Sequence, residues 1–566
     1  MDLVESLRNK LTLVDGLRIA ALLACVAPLA GSVIIAVLGW WQERFVKSVA
    51  LIAVILSFLG GCGVLGFYSP MAETKRIYAN RPMESVILAR EELMILGRDQ
   101  DTVRIEALWG LDGISAVLVW LTSLLTLSSV LISMRSIRER IQEYYMLLLL
   151  LAGGAMLVFL AFDVIFLYIF FELTLVPMFF LIGIWGGPER RYAARKFLIY
   201  TLAGSLIGLV ALVAYVVQVR ELRQAARLDV TVSRGKLERP SDRITALPDL
   251  AETAARLSRS SEQDSELREK WERLQKWTFW GLFLAFAIKV PLVPWHTWLP
   301  LAHVEAPTAG SVFLAGVLLK LGTYGFLRLV FPLLPDIVTG WGGSLLAVLA
   351  VLGIVYGSLC AAAQKDIKRL VAYSSIAHMG FCMLGMASLN TIGLAGSVLE
   401  MINHGLYTGG LFMLVGAIYE RYHTRSMLDL GGLAKRLPVW AFFMVGMSLA
   451  SIALPGLNGF VSETLCLAGM FYKSITLSVL GAFGIVLGAW YMMTMLRQVV
   501  FGPVRVPVRY QEEDAIQDLD MYEWMALALP MALCLALGLY PKALLDIIHP
   551  DLEGMANLYQ MLRRGG

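Results

Sequence analysis

Charged residues are scarce in this sequence of 566 residues: Asp, Glu, Lys and Arg make up 16%, against about a quarter in soluble proteins. The shortage argues against a water-soluble protein, because 58% of the residues are hydrophobic and a single soluble core stops growing near about 250 to 300 residues. The net charge is only +4, and Lys and Arg gather in short loops instead of on one face. We therefore expect no nucleic-acid partner.

Cysteine is also scarce. The six cysteines are scattered singly along the chain and form no CxxC pair. The sequence therefore indicates neither a disulfide framework nor a cysteine-ligated metal or iron–sulfur cluster. No spacing of histidines resembles a metal site. We expect no cofactor in this chain, so that the electrons of any redox reaction in which it takes part travel elsewhere.

Apolar blocks of about 20 residues, separated by short charged stretches, fill most of the chain. In windows of about 19 residues they predict about 14 membrane-spanning helices. The first lies near residues 18–41 and the last near 522–547. The length of the first block and the second block directly after it favour a retained helix over a signal peptide. The predicted fold class is an all-α polytopic membrane protein.

Two of these spans carry residues that break helices. The seventh contains Pro291 and Pro294, and the twelfth contains LPGLNGF, with Pro455, Gly456 and Gly459. Corresponding interruptions in two halves of a transporter-like chain indicate inverted repeats around an ion site at the membrane midplane. We expect spans 4–8 and 9–13 to form two inverted five-helix repeats, with broken helices at spans 7 and 12.

This pattern divides the chain into four predicted parts. They are residues 1–143, with spans 1–3 and an outer loop at 68–110; residues 144–332, the first repeat, with a polar outer insertion at 220–276; residues 333–500, the second repeat; and residues 501–566, with span 14 and the tail. The insertion mixes acids and bases, and its second half predicts a polar helix that leads into the seventh span. Loops tolerate such insertions, so we interpret it as solvated.

Basic residues fall mostly on one side of the predicted spans. They include Arg44, Arg135, Arg191, Lys368, Arg425 and Arg497. The positive-inside rule makes that side cytoplasmic and places both termini on the outer side. The outer segments 68–110 and 220–276 are also rich in Lys and Arg, but long loops are translocated largely regardless of charge. We expect a multi-pass protein of the cell inner (plasma) membrane, surrounded by lipids.

Four ionisable residues interrupt apolar runs: Glu172, Lys289, Lys320 and Glu463. Each costs at least about 2.5 to 3.5 kcal/mol near the bilayer centre, so each is a candidate functional residue. Burial favours the neutral forms of lysine and glutamate, and a neighbouring opposite charge restores the charged forms. A change in the distance from Glu172 to Lys289 would therefore load or eject a proton. The alternatives are structural ion pairing and, for Lys289, snorkelling to the interface.

Three histidines lie within or at the mouth of predicted spans: His303, His378 and His404. Histidine accepts and releases protons near neutral pH, which suits a proton relay. Histidines in helical bundles are also common as hydrogen-bonded packing residues, and this alternative stays open for His378 and His404. For His303 we favour a role in orienting the loop before the eighth span.

Five segments carry a resemblance to a known family. They are FFELTLVPMFFLIG, KVPLVPWHTWLPLAHVEAPTAGSVFLAGVLLKLGTYGFLR, DIKRLVAYSSIAHMGF, HGLYTGGLFMLVGAIYER and LPGLNGFVSE. Through them nearly the whole chain resembles the subunit M (chain 4) family of antiporter-like membrane subunits of proton-pumping NADH–quinone oxidoreductase, respiratory complex I. The resemblance implies a polar axis and buried histidines at Glu172, Lys289, Lys320, His378, His404 and Glu463. The sister subunits and the multisubunit sodium/proton antiporters usually carry lysine at the position of Glu463, which favours the M type.

The resemblance implies a proton-translocating subunit that performs no redox step itself. NADH, FMN, iron–sulfur clusters and quinone would be bound by partner subunits, and quinone reduction there would drive the protons. The expected partners are the other membrane-arm subunits, especially the neighbouring antiporter-like ones. Three alternatives remain open: a subunit of a multisubunit Na⁺/H⁺ antiporter, a subunit of a membrane-bound hydrogenase or formate-linked complex, and a non-catalytic scaffold. The insertion at 220–276 departs from the family, whose connection tends to be shorter.

Overall fold

The computed structural model of this protein describes most of the chain. The described residues are 2–39, 42–75, 86–96, 103–226, 228, 231–233, 236–238, 245–261, 264–510 and 516–564. Parts of the predicted outer segments 68–110 and 220–276 therefore lie outside the described residues. All six candidate site residues belong to the described residues.

Helices make up most of the described structure. Their bounds are α1 (Asp2–Leu38), α2 (Glu43–Lys75), α3 (Gly113–Ser136), α4 (Ile141–Leu160), α5 (Val164–Leu173), α6 (Leu175–Trp185), α7 (Arg190–Ala225), α8 (Leu247–Ser260), α9 (Ser265–Lys289), α10 (Trp298–Glu305), α11 (Thr308–Leu333), α12 (Pro335–Thr339), α13 (Trp341–Ala362), α14 (Ile367–Ala387), α15 (Thr391–Tyr422), α16 (Pro438–Ser451), α17 (Asn458–Lys473), α18 (Ile475–Val500), α19 (Met521–Leu539) and α20 (Lys542–Arg564). The strands are β1 (Val86–Leu96), β2 (Val103–Leu111), β3 (Thr231–Ser233) and β4 (Lys236–Glu238).

Among the described residues, twelve helical segments are long and apolar enough to cross a membrane, with α5 and α6 counted together. Segments of 19 to 36 residues match the span of about 20 residues that a bilayer core requires. The helical multi-pass fold class is confirmed. The seventh and twelfth predicted spans are not among the twelve, because both are interrupted. The total of about 14 spans and the layout of the two repeats stay predictions.

The seventh predicted span is interrupted where its prolines lie. Helix α9 ends just before Pro291, and a short 3₁₀ turn at Trp295–Thr297 precedes α10. Proline lacks a backbone N–H and its ring clashes with the preceding turn, so the α-helix cannot continue. Trp298 donates its indole N–H to the carbonyl of Ile288 at 2.8 Å. This bond ties the start of α10 to the last turn of α9.

The twelfth predicted span, 438–470, consists of two helices joined by a link of turns. Helix α16 ends at Ser451 and α17 begins at Asn458. The link contains Pro455 and Gly456, and Gly456 has a φ of +94°. This left-handed region is open to glycine because glycine has no Cβ. The structure thus has an interruption at both predicted places.

Two β-hairpins depart from the all-α prediction. In the outer segment 68–110, β1 pairs antiparallel with β2, and in the insertion β3 pairs antiparallel with β4. Strand β2 has the sequence VRIEALWGL, and its first residues alternate apolar with polar as a strand does. An isolated hairpin is marginally stable. The first one is anchored to the bundle because Phe162 donates its backbone N–H to the carbonyl of Leu108 at 2.9 Å.

The insertion at 220–276 is largely helical where it is described, and its second half forms the predicted polar helix as the start of α9. Hydrogen bonds to one partly buried carboxylate tie it to the bundle. Asp336, in α12, accepts hydrogen bonds from Trp271 at 2.7 Å and Gln275 at 2.6 Å, both on α9. It also accepts one from Ser258 on α8 at 3.0 Å. The insertion therefore covers the end of α11 instead of standing free.

The last predicted span, 522–547, is too long. Helix α19 ends at Leu539, and a separate helix, α20, follows. Asp551 on α20 accepts the backbone N–H of Gly113 at 2.6 Å and lies 3.4 Å from the hydroxyl of Tyr68. Polar residues throughout α20 distinguish it from a span, and it packs along α2 and α3 at one end of the bundle.

The basic segments that the sequence places on one side lie at one end of the bundle. Lys368 and Arg425 both donate to carbonyls at the end of α10, at 2.6 Å and 2.8 Å. The C-terminal carbonyls of a helix attract cations. At the same end, Arg135 at the end of α3 pairs with Asp520 at 3.1 Å. The start of α3, the insertion and α20 lie at the opposite end.

Candidate functional site

Five of the six predicted site residues are buried inside the bundle, with exposures between 0% and 6%. The side chain of Glu172 is 24% exposed. The six lie on six different helices, and the structure brings them together in three groups. The members are Glu172 with Lys289, Lys320 with His404, and His378 with Glu463.

The first group joins α5 to α9. Lys289 Nζ lies 3.5 Å from Glu172 Oε1 and 3.3 Å from the centre of the Phe171 ring. A cation over an aromatic face is attracted by the ring quadrupole. Both carboxylate oxygens of Glu172 are shielded from solvent and accept no hydrogen bond from the described residues. The ion pair is therefore the main polar contact of this carboxylate.

The second group joins α11 to α15. Lys320 Nζ lies 2.5 Å from Nδ1 of His404 and donates to the carbonyl of Ala315 at 2.5 Å. Ala315 belongs to the π-helical turn Leu314–Leu318 within α11. Such turns are frequent at functional sites because they interrupt the regular hydrogen-bond ladder. A lysine and a histidine at this distance cannot both carry a full charge at low cost, so the contact favours at most one charged partner.

The third group joins α14 to α17. Nδ1 of His378 lies 3.1 Å from Glu463 Oε1, and Nε2 lies 3.2 Å from the hydroxyl of Ser451. Ser451 ends α16, so this histidine contacts both sides of the interruption between α16 and α17. The side chain is positioned to transfer a proton to or from the carboxylate.

Glu400 completes the third group, and the sequence analysis missed it. It lies on α15 with 0% exposure, and its Oε1 is 3.5 Å from Nδ1 of His378. Tyr407 donates to Oε1 at 2.7 Å and Ser462 donates to Oε2 at 2.6 Å. The signal was available: LEMINHG places this carboxylate four residues before His404 in an apolar run, and the rule for buried charges applies to it as well.

The third group is compact. Imidazole and carboxylate atoms of His378, Glu400 and Glu463 lie within 4.8 Å of one another. These residues stand 22 and 63 positions apart along the chain, so no local metal-binding motif joins them. Two buried carboxylates beside one imidazole attract protons.

The three groups are close to one another without direct side-chain bonds. The centroids of the His404 and His378 rings are 5.6 Å apart, so the two rings are in contact. Between the first two groups the helices approach closely at Gly322, where a Cβ would lie 2.9 Å from the backbone N of Val290. Glycine thus lets the helix of Lys320 lie directly against the end of α9.

His303 is not part of these groups. It lies on α10, where the sequence predicts a loop, and its ring stacks on Phe412 with centroids 4.5 Å apart. Neither ring nitrogen has a hydrogen-bond partner among the described residues. Its carbonyl accepts the hydroxyl of Ser311 at 3.0 Å. This backbone bond ties the start of α11 to α10, and the orienting role of the His303 side chain stays a prediction.

A second buried ion pair was also missed. Arg328 on α11 lies 2.5 Å from Asp112 and 3.2 Å from Ser115, at the opposite end from the basic segments. Both charged side chains are buried, with exposures of 1% and 0%. Neither residue was singled out from the sequence.

The comparison with protein families decides the family. A model described as "NADH:quinone oxidoreductase/Mrp antiporter, TM" matches residues 161–488, more than half of the chain. The chain belongs to this family. The match to the NADH:quinone oxidoreductase/Mrp antiporter family covers α5 to α17 completely, and with them all six predicted site residues and Glu400.

Individual relatives within the NADH:quinone oxidoreductase/Mrp antiporter family confirm the resemblance to subunit M. NADH-quinone oxidoreductase subunit M of Rickettsia typhi is 39% identical over 80% of this chain and 84% of its own length. Subunit M of Rhodobacter capsulatus is 36% identical over 94% of this chain and 95% of its own length. The chain is therefore a multi-pass membrane protein of the subunit M type.

Solved structures show the same fold. A chain of respiratory complex I from Thermus thermophilus with bound NADH superimposes with a TM-score of 0.73 at 28% identity, covering 95% of this chain and 99% of its own. A chain of the Mrp complex from Dietzia sp. gives a TM-score of 0.70 at 20% identity, covering 96% and 98%. At that identity the second likeness concerns the fold alone.

Proposed function

We propose that this chain is a proton-translocating membrane-arm subunit of NADH–quinone oxidoreductase. Protons would move along Glu172, Lys289, Lys320, His404, His378 and Glu463. The chain would perform no redox step itself. NADH, FMN, iron–sulfur clusters and quinone would be bound by partner subunits, and quinone reduction there would supply the energy.

One observation carries this proposal: the expensive buried charges form contacts with one another instead of standing alone. The three groups have separations of 3.5 Å, 2.5 Å and 3.1 Å between titratable atoms. Proton transfer requires a donor and an acceptor within hydrogen-bond reach or joined by one water. A scaffold with residual charges would not need such groups on six helices.

The relatives favour an oxidoreductase subunit over a cation antiporter. The relatives from Rickettsia typhi and Rhodobacter capsulatus, 39% and 36% identical, are named subunit M, whereas the Mrp chain is 20% identical. We further propose that the neighbouring antiporter-like subunits are the partners, as in the complexes that hold the structural relatives. Sodium-dependent transport without NADH would favour the antiporter reading.

We propose the plasma membrane as the location, with both termini on the outer side. The ends of α3 and α10, where Arg135, Lys368 and Arg425 lie, would face the cytoplasm under the positive-inside rule. Helix α20 and the insertion would face outward. Labelling of single introduced cysteines from either side of sealed vesicles tests this orientation.

The test of the function is Lys289→Ala in the complete complex, reconstituted in vesicles. We expect NADH-driven acidification to fall at least about tenfold, because one partner of the buried pair and its titratable amine are gone. Lys270→Ala, on the polar part of α9, is the control and should pump normally. Full pumping by the Lys289 variant, in a complex that assembles, would refute the proposal.

A further inference from the structure

Glu400 is a buried carboxyl group that the proposed proton route does not use. It lies on α15 one helical turn before His404, with no exposed surface. Hydroxyl groups of Tyr407 and Ser462 donate to its two oxygens, at 2.7 Å and 2.6 Å. Neutral hydroxyl groups solvate a carboxylate only in part, so a buried carboxyl group in this setting also needs a proton or a cationic partner.

The cationic partner is shared. Glu400 Oε1 lies 3.5 Å, and Glu463 Oε1 lies 3.1 Å, from the same atom, Nδ1 of His378. This nitrogen carries at most one hydrogen and so satisfies one carboxylate fully at a time. Two carboxylates so close in a low dielectric repel each other. The three groups therefore gain and lose protons as one unit.

Other titratable groups face this unit from the helices packed around it. They are Lys320 on α11, Cys382 on α14, His404 and Tyr407 on α15, Cys466 on α17 and Tyr491 on α18. Tyr407 has the most direct position, because its hydroxyl lies 3.1 Å from His378 and donates to Glu400. Lys320 reaches the unit through His404.

We propose that Glu400 is a second proton-binding carboxylate of this site, and that it forms a three-membered proton store with His378 and Glu463. The inference rests on the proposed function. With one bound proton the store carries a net charge of −1, so it attracts a second proton. Without Glu400 the store with one proton would be neutral and would not attract another.

The transfer steps balance without any change of oxidation state. An N–H bond of His404 breaks and an N–H bond forms on His378, across the contact between the two rings. The N–H bond of His378 then breaks as an O–H bond forms on Glu400 or Glu463, which turns imidazolium into imidazole and a carboxylate into a carboxylic acid. Uptake raises the charge of the store by one, and release lowers it by one.

The experiment compares variants of the complete complex in vesicles. Glu400→Gln keeps the size and hydrogen bonding of the side chain and removes its proton site. We expect the initial rate of NADH-driven acidification to fall about two- to tenfold, the range of changes of about 0.5 to 1.5 kcal/mol. We also expect its pH optimum to shift to lower pH, because one negative charge that attracts protons is gone.

Two further variants separate chemistry from packing. Glu400→Asp retains a carboxyl group and should recover at least half of the pumping rate. Glu305→Gln is the matched control: it also removes a buried carboxyl group, one that accepts the N–H of Glu189 at 2.9 Å and lies outside the store. We expect the control to keep the wild-type pH optimum.

A wild-type rate and pH optimum in Glu400→Gln would overturn this inference. If that variant does not assemble, Tyr407→Phe decides: it removes the hydroxyl between His378 and Glu400, and an unchanged pH optimum would overturn the inference equally. Lys289→Ala tells the two proposals apart. If it stops pumping while Glu400→Gln behaves as wild type, only the proton store is wrong; if it pumps fully, the function is wrong.

Discussion

The two interrupted helices place opposite charges at their breaks. Lys289 is the last residue of α9, before the first break, and Glu463 lies in the second turn of α17, after the second break. A helix carries partial negative charge at its C-terminus and partial positive charge at its N-terminus. The sign of each residue thus matches the end of the helix that bears it, which explains why a lysine suits one break and a glutamate the other.

The two regions also differ in how many anions they hold. Within the part of the chain that the structure describes, Lys289 has a single carboxylate partner, Glu172, whereas His378 has two, Glu400 and Glu463. Loss of one carboxylate therefore leaves Lys289 without an anionic partner, whereas His378 keeps one. The difference makes the first site more vulnerable to single substitutions.

The largest expected effect tests this asymmetry directly. Glu172→Gln should lower NADH-driven proton pumping by at least about tenfold, because removal of one partner from a buried pair leaves an uncompensated charge costing about 3 to 5 kcal/mol. Glu463→Gln should lower it only about two- to tenfold, since Glu400 remains. Pumping is measured in vesicles and normalised to NADH oxidation. Equal losses of pumping in the two variants would show that the two sites do not differ in vulnerability.

The double variant Glu400→Gln with Glu463→Gln sharpens the same comparison. It leaves His378 without a carboxylate, so we expect a loss close to that of Glu172→Gln. Because residues in one network are coupled, the combined loss should exceed the product of the two single losses. A double variant no worse than Glu463→Gln would show that Glu400 adds nothing to the second site.

A smaller effect is expected where α11 meets the first break. In Gly322→Ala the new Cβ would lie 2.9 Å from the N of Val290 and 3.0 Å from the carbonyl carbon of Lys289. Forcing the helices apart should lower the free energy of unfolding by about 1 to 3 kcal/mol. Thermal unfolding in detergent measures it. Gly66→Ala is the control, since a Cβ there meets no atom within 4 Å.

The smallest effect is expected outside the membrane, on the polar part of α9. Lys270 pairs with Glu266 at 2.6 Å, and both side chains are exposed. The hydrogen bond to Glu266 raises the pKa of Lys270. The ion pair therefore persists at neutral pH and weakens only when the pH rises through the pKa of this lysine. Exposed pairs add little to stability. Lys270→Ala should leave pumping and the unfolding temperature unchanged, unlike any substitution at Lys289.

Much of the fold could be predicted because a bilayer requires long apolar helices, and these are visible in the sequence. The breaks at Pro291 and Pro455 were predictable for the same reason, since proline cannot continue a helix. The ends of the predicted spans were less reliable. Helix α19 ends at Leu539, and the separate amphipathic helix α20 begins at Lys542, where the sequence predicts the end of a span.

The contacts within the site could not be predicted. The rule that buried charges are functional found Lys289 and Glu463, and applied evenly it would also have found Glu400. No sequence rule gives the rotation and depth of each helix, however, because close packing at small residues such as Gly322 sets them. The pairing of Lys320 with His404 across two helices depends on that packing.

The two buried cationic side chains of α11, Lys320 and Arg328, differ in whether they can pass on a proton. Arg328 lies eight residues beyond Lys320 on the same helix, about 12 Å away along its axis. Arginine keeps its proton at any physiological pH, so it cannot hand one onward as a histidine does. On α11, Lys320 thus contacts an imidazole that can accept a proton, whereas Arg328 is held in a neutral ion pair that passes none on, so we expect proton transfer at the Lys320 end alone.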